Sequence, residues 1–326
     1  MRENNQFKPA WWLPNSHLQT LWPVVCRRKI KNLSIERERL NLPDGDFIDL
    51  DWVGRHAAGP LVIILHGLEG SIHSHYAKGM LRTIAAQQWR GVFMHFRGCS
   101  GEPNRLPRGY HSGETGDISY VTKILREREP HTLLAAIGFS LGGNVLLKWL
   151  GETGWQNPLQ VAIAVSVPFE LQKAAHRIQQ GFSRFYQWYF IKCLRRRLSK
   201  KFQSDFSSFD PMLMYKVRTM YDFDDKITAP LHGFANVNEY YSIASSRQYL
   251  RHIQVPTLIL HSKDDPFMTE DIIPELNEVS SKVHLEITPR GGHVGFISGK
   301  YPWQPEYWLE KRVPFFLREH LFKQNE

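Results

Sequence analysis

Short, wholly apolar runs recur along the chain, at Leu61–His66 (LVIILH), Gly91–Phe96, Leu133–Phe139, Val161–Val167, Thr257–His261 and Val283–Ile287. Runs of this length without polar alternation mark strands buried on both faces. Between them lie segments of helical character, clearest at Glu114–Arg128 and Leu141–Leu150, and Tyr307–Phe322 closes the chain. This alternation predicts an α/β fold, a mostly parallel central sheet with helices on both faces. Ahead of it, Ile35–Leu42 and Phe47–Val53 flank Pro43-Asp44-Gly45-Asp46, which reads as a hairpin.

One stretch breaks the pattern. Residues 169–240 hold no β-like run but are dense in aromatic and basic residues (HRIQQGFSRFYQWYFIKCLRRRL). An insertion of this length after a central strand predicts a helical cap over one end of the sheet, where ligands bind in open α/β folds. The 326 residues are therefore expected to form a single domain, 1–326, with the cap at 169–240.

Composition narrows the picture. Hydrophobic residues make up 42% and aromatics 13%, enough for a large core. A formal net charge of +9 favours anionic partners without specifying one. Part of the excess sits in Lys192–Lys201 (KCLRRRLSKK), which reads as a solvated helix face. No nucleic-acid recognition motif accompanies the charge, so no nucleic-acid partner is expected. Cys26, Cys99 and Cys193 are odd in number and widely spaced, as suits a reducing cytoplasm. The N-terminus lacks a secretory pattern, and no run approaches the roughly 20 apolar residues that span a bilayer. A soluble, cytoplasmic protein follows as the expectation. Peripheral membrane contact stays open, because Phe7–Val25 is rich in Trp and Pro. That segment reads either as an interfacial anchor or as an arm packed on the body.

The strongest chemical signal is Gly138-Phe139-Ser140-Leu141-Gly142-Gly143, which follows an apolar strand and opens a helix. In that setting G-x-S-x-G forms a sharp turn that presents the serine hydroxyl as a nucleophile. A serine hydroxyl needs a base. His293 lies in a late loop, Arg290–Phe296, after the last of these runs. The acid is expected after the penultimate strand, where Asp264 and Asp265 both stand, and Asp265, directly before Pro266, is favoured. Oxyanion donors are expected from the amides of Leu141, after the nucleophile, and Leu68, in His66-Gly67-Leu68-Glu69-Gly70. His66, His73, His75 and His95 lack the carboxylate spacing of a hydrolytic metal centre. Arg97-Gly98-Cys99-Ser100-Gly101 reads either as an anion-holding loop or as a loop packed beside the site, and Cys99 has no base of its own.

Several segments together resemble the α/β-hydrolase family 4 of bacterial esterases and mammalian abhydrolase-domain proteins. They are Trp12–Leu21 (WLPNSHLQTL), HGLEGS at 66–71, FRGCSG at 96–101, YHSGETGD at 110–117, GFSLGGN at 138–144, Glu239-Tyr240-Tyr241, DDP at 264–266 and GGH at 291–293. The resemblance spans almost the whole chain. It implies the α/β-hydrolase fold, a triad of Ser140, Asp265 and His293, and hydrolysis of carboxylic esters. The expected reaction passes through an acyl-enzyme, with no metal and no organic cofactor, on a short- to medium-chain or lipid-like ester. A thioesterase or a lipase/phospholipase would use the same residues. A non-catalytic binding protein on the same fold is the alternative of another class.

Overall fold

A computed structural model describes residues 6–26, 30, 32–202 and 212–322. Among the described residues ten strands run in chain order: β1 (Glu36–Asn41), β2 (Phe47–Val53), β3 (Leu61–Leu65), β4 (Arg90–Met94), β5 (Leu134–Phe139), β6 (Val161–Val165), β7 (Thr257–Ser262), β8 (Val283–Thr288), β9 (Ile297–Tyr301) and β10 (Gln304–Tyr307). The first eight form one sheet in the order β1-β2-β4-β3-β5-β6-β7-β8. β1 and β2 are antiparallel to each other and β2 to β4, while every later pair is parallel. The chain thus adopts the α/β-hydrolase fold, with β5, which ends just before Ser140, inside the sheet between β3 and β6.

Helices α1 (Ser16–Val25), α2 (Ala77–Ala86), α3 (Gly116–Arg128) and α4 (Leu141–Thr153) come before the cap. The helical excursion after β6, called the cap below, holds α5 (Leu171–Arg177), α6 (Ser183–Lys201), α7 (Met212–Lys216), α8 (Met220–Phe223), α9 (Ala229–Leu231) and α10 (Val237–Ala244), and α11 (Leu309–Phe322) is the last described helix. Residues 203–211 of the expected cap lie outside the described residues. Among the described residues no helix is long and apolar enough to cross a membrane.

Period-two alternation divides the central strands between two cores. Leu61, Ile63 and Leu65 of β3 join Val145, Leu146 and Ile118 of α4 and α3. Val62 and Ile64 turn the other way, onto Met80 and Leu81 of α2 and Val313 and Leu317 of α11. On the α4 side β5 and β6 present Ala136, Ala162 and Ala164. Small side chains there let α4 lie close to the sheet.

The strands match the sequence expectation to within two residues, with β4 ending at Met94 rather than Phe96 and β6 at Val165 rather than Val167. The pattern did not reveal α2, α1 or the β9–β10 hairpin. β9 (ISGKY) and β10 (QPEY) are mostly polar and half-exposed, so no apolar run announces them.

One expectation about charge changes, and one alternative left open is decided. The basic run Lys192–Lys201 is not wholly a solvated face. Arg197 pairs with Glu69 at 2.7 Å, and Lys201 donates to Asn104 Oδ1 and the Arg108 carbonyl. Helical spacing puts residues four apart on one side, and this side faces the body. Burial, then the neighbouring Arg197 charge, brings the Lys201 ammonium down to about 7. Nor does the loop that begins at Arg97 present a cation to an external anion. Arg97 is buried and bidentate to Asp117, at 2.8 and 2.6 Å, and also donates to Asp44 and Asp46. It fastens the β1–β2 turn and the start of α3 to the end of β4.

Removing the Arg97 guanidinium would strand the Asp117 and Asp46 carboxylates in the interior. Arg97→Ala is expected to lower the unfolding free energy by about 3–5 kcal/mol, read as a shift of the urea midpoint. A loss below about 1 kcal/mol would mean that the cluster is solvated or rearranges.

Candidate active site

The sharpest backbone feature lies between β5 and α4. Ser140 has φ 53° and ψ −119°, a left-handed conformation that costs a non-glycine residue energy. Glycines on both sides make room for it. A Cβ on Gly138 would come within 2.5 Å of the Gly142 carbonyl, and one on Gly142 within 2.5 Å of the His66 carbonyl. The turn is held by Ser140 N–H, which donates to Val165 O at 2.8 Å. The hydroxyl thus stands at the carboxyl edge of the sheet, at the N-terminus of α4.

His293 comes from the loop between β8 and β9, and its Nε2 lies 2.9 Å from Ser140 Oγ. Its Nδ1 lies 2.8 Å from Asp265 Oδ2. A carboxylate can only accept, so the Nδ1 proton points to Asp265 and Nε2 is free to accept the serine proton. Asp265 Oδ1 takes the Phe267 N–H at 2.9 Å, and the Phe267 ring stacks on the imidazole with centroids 4.0 Å apart. Asp264 points elsewhere and accepts the Gly292 N–H at 3.0 Å. Of the two adjacent aspartates, Asp265 is the one that faces the histidine.

Residues of α1, not singled out from the sequence, fix the histidine loop. Thr20 Oγ1 accepts the His293 N–H at 2.9 Å while donating to Ser16 O. The Gln19 side chain pairs both ways with Ile297, donating to its carbonyl at 3.0 Å and accepting its N–H at 2.8 Å. These are the HLQT residues of the N-terminal motif. Trp11 and Trp12 anchor the same segment through indole bonds to the carbonyls of Lys300 and Gly299. The contact spans almost 300 positions of sequence, so no local signal exposes it.

The HGLEG loop leaves one amide open. Gly67 N–H goes to Tyr76 Oη, Glu69 N–H to Tyr110 Oη and Gly70 N–H to Gly67 O. Among the described residues no hydrogen bond engages the N–H of Leu68 or of Leu141, and both residues line the cavity at Ser140. His66 is fully buried between the strand ends, donating from Nδ1 to Gly67 O and accepting the Phe96 N–H at Nε2. Burial pulls its pKa down to about 3, so it is a neutral brace. Burial likewise pushes the Cys99 thiol up to about 12, far from a thiolate nucleophile.

The cap meets this loop through Arg197, whose guanidinium lies 2.7 Å from Glu69 Oε1 and over the Tyr110 ring at 4.9 Å. Beneath the cap a largely apolar cavity of about 130 Å3 reaches Ser140, walled by Leu171, Ile178, Leu194, Met220 and Phe223. A second groove reaches the same serine between α1 and α6, lined by Val24, Phe185 and Tyr189.

Residues 60–300 match the family described as the alpha/beta hydrolase fold. The Escherichia coli K12 protein YheT, named as a candidate esterase, is 42% identical over 321 residues, covering 97% of this chain and 94% of YheT. The bovine phospholipase ABHD3 is 28% identical, over 92% of this chain and 75% of its own length. The crystal structure of the Pyrococcus furiosus esterase Pf2001 superposes with a TM-score of 0.58 at 16% identity, covering 90% of this chain and 98% of that one. At that identity it speaks for the fold alone.

Thr20→Val keeps the shape of the side chain and removes the acceptor of the buried His293 N–H. The variant is expected to lose about 1–3 kcal/mol of stability, measured by chemical denaturation. An unchanged midpoint would mean that α1 does not hold the loop.

Proposed function

We propose that this chain, which belongs to the α/β-hydrolase fold family, is a serine hydrolase of carboxylic esters that works through an acyl-enzyme. The observation that carries the reading is the unbroken line from Ser140 Oγ to His293, 2.9 Å, and from His293 to Asp265, 2.8 Å, at the mouth of an apolar cavity.

His293 takes the proton as Ser140 Oγ attacks the ester carbonyl. The carbonyl oxygen becomes an oxyanion received by the amides of Leu68 and Leu141, each donor supplying about 3 kcal/mol of transition-state stabilisation. Asp265 holds the imidazole tautomer and stabilises the imidazolium. His293 then protonates the leaving alkoxide, and the acyl group remains on Ser140. Water, deprotonated by the same imidazole, attacks the acyl-enzyme, and His293 gives that proton to Ser140 Oγ as the acid leaves. Every proton is thereby returned, and none of these steps calls on a metal or an organic cofactor.

The two spaces at Ser140 suit the two halves of an ester. The cavity beneath the cap takes the acyl chain, and the groove between α1 and α6 takes the alcohol. Phe185, Trp188 and Tyr189 on α6 and Val25 on α1 are exposed around that groove. This apolar rim supports a lipid-like ester drawn from an interface, the reading nearest to the lipase/phospholipase alternative.

A fluorophosphonate probe is expected to label the wild-type protein and to leave Ser140→Ala unlabelled; labelling of both would sink the nucleophile assignment. Asp265→Asn is expected to lower kcat for p-nitrophenyl ester hydrolysis by about 10³–10⁴-fold, and Asp264→Asn by less than about tenfold. A larger loss in Asp264→Asn would reverse the assignment of the acid.

A further inference from the structure

We infer that the cavity beneath the cap selects acyl groups bearing a hydrogen-bond donor, a hydroxyl or an ammonium, which Asp224 receives on the cap-side wall. The inference rests on the proposed function for the placement of the acyl group at Ser140.

The sheet side of the cavity holds Ser140 and Leu141, and most of its cap side is aliphatic or aromatic. Asp224 interrupts that wall. Its carboxylate accepts from Thr228 Oγ1 and from Tyr241 Oη, each at 2.8 Å. Both donors are neutral, and one bond to each oxygen leaves acceptor capacity on both. Among the described residues no cationic side chain pairs with it. Burial accordingly raises its pKa to about 6, against the partial support of the two hydroxyls.

A carboxylate in this position is an expensive way to fill a wall. Among the described residues the fully buried acids of the scaffold are matched by bases, as Asp117 is by Arg97 and Asp51 by Arg37. The chain also builds a particular support for Asp224. Residues Asp224–Thr228 form a π-type turn in which Ala229 N–H closes on the Asp224 carbonyl across five residues. Such turns cost hydrogen-bond geometry and are common at functional sites. Tyr241, which orients the carboxylate, belongs to the Glu239-Tyr240-Tyr241 motif, and Tyr240 Oη accepts the Ser112 N–H at 3.0 Å. The tyrosine pair therefore joins the acid to the loop that also lines the cavity. A donor arriving on the substrate would supply the partner that the protein does not.

The test uses p-nitrophenyl esters matched in chain length and ending in methyl, hydroxymethyl or ammonium groups, over a graded series of lengths. At the best-fitting length, kcat/KM is expected to favour the donor-ended esters over the methyl-ended ester by about tenfold or more. Asp224→Asn should lose the ammonium preference while still cleaving the methyl-ended ester, which doubles as the control for folding. Equal rates for all three ends at every length, or an unchanged preference in Asp224→Asn, would overturn the inference. Uncleavable amides of the same acyl groups, titrated calorimetrically into Ser140→Ala, separate this result from the hydrolase reading. Tighter binding of the donor-ended amides upholds the Asp224 subsite even if no ester is cleaved, and equal binding overturns it.

Discussion

The strained turn at Ser140 is the constraint around which the molecule is arranged. A positive φ at a serine persists only where the surroundings over-determine it. Here they do so twice. The Ser140 N–H is tied to Val165 on the neighbouring strand, and Gly138 and Gly142 remove the side chains that would force the strand and helix apart. The small residues Ala136, Ala162 and Ala164 then allow α4 to pack directly on the sheet. With that turn closed, the hydroxyl and the first amide of α4 share one small volume. The other groups of the site have only to be brought to it.

They are brought by separate devices. The histidine loop is pinned from behind by the N-terminal helix, through Gln19 and Thr20, and from the front by the Phe267 ring. The HGLEG loop is pinned by Tyr76 and Tyr110, which take the amides of Gly67 and Glu69, while the Gly70 N–H turns back to the Gly67 carbonyl and that of Leu68 has no partner among the described residues. Arg197 extends this second device into the cap, because its partner Glu69 is the residue next to Leu68. The cap is thus coupled to the loop through a charged contact and a cation–π contact rather than through apolar packing alone. A shift of α6 would be felt at the Leu68 amide.

Buried charge is handled in two ways that separate scaffold from cavity. In the scaffold the buried acids Asp49, Asp51 and Asp117 have bases, Asp49 with Arg39, Asp51 with Arg37 and His95, Asp117 with Arg97. The first two pairs follow from hairpin register, since Arg37 faces Asp51 and Arg39 faces Asp49 across β1 and β2. In the cavity Asp224 has only hydroxyls. Pairing stabilises the fold, whereas the absence of pairing leaves chemistry available to a ligand.

By itself the sequence determined the features that are written locally. The buried strands, the alternation with helices, the turn at Ser140 and the long helical excursion after β6 each follow from a short window, because apolar period and glycine placement act within a few residues. The choice of His293 needed only chain order. Other features were decided by tertiary structure. Asp264 and Asp265 are neighbours with the same side chain, and only the path of the loop sends one to the imidazole and the other to the Gly292 amide. The N-terminal motif carries no sign that it braces a loop 273 residues away. The basic run of α6 looks uniform in sequence, yet one side of the helix meets Glu69 and Asn104 while the rest meets water. In each case the deciding quantity is a direction in space, fixed when distant segments pack together, and a linear pattern of residue types does not contain it.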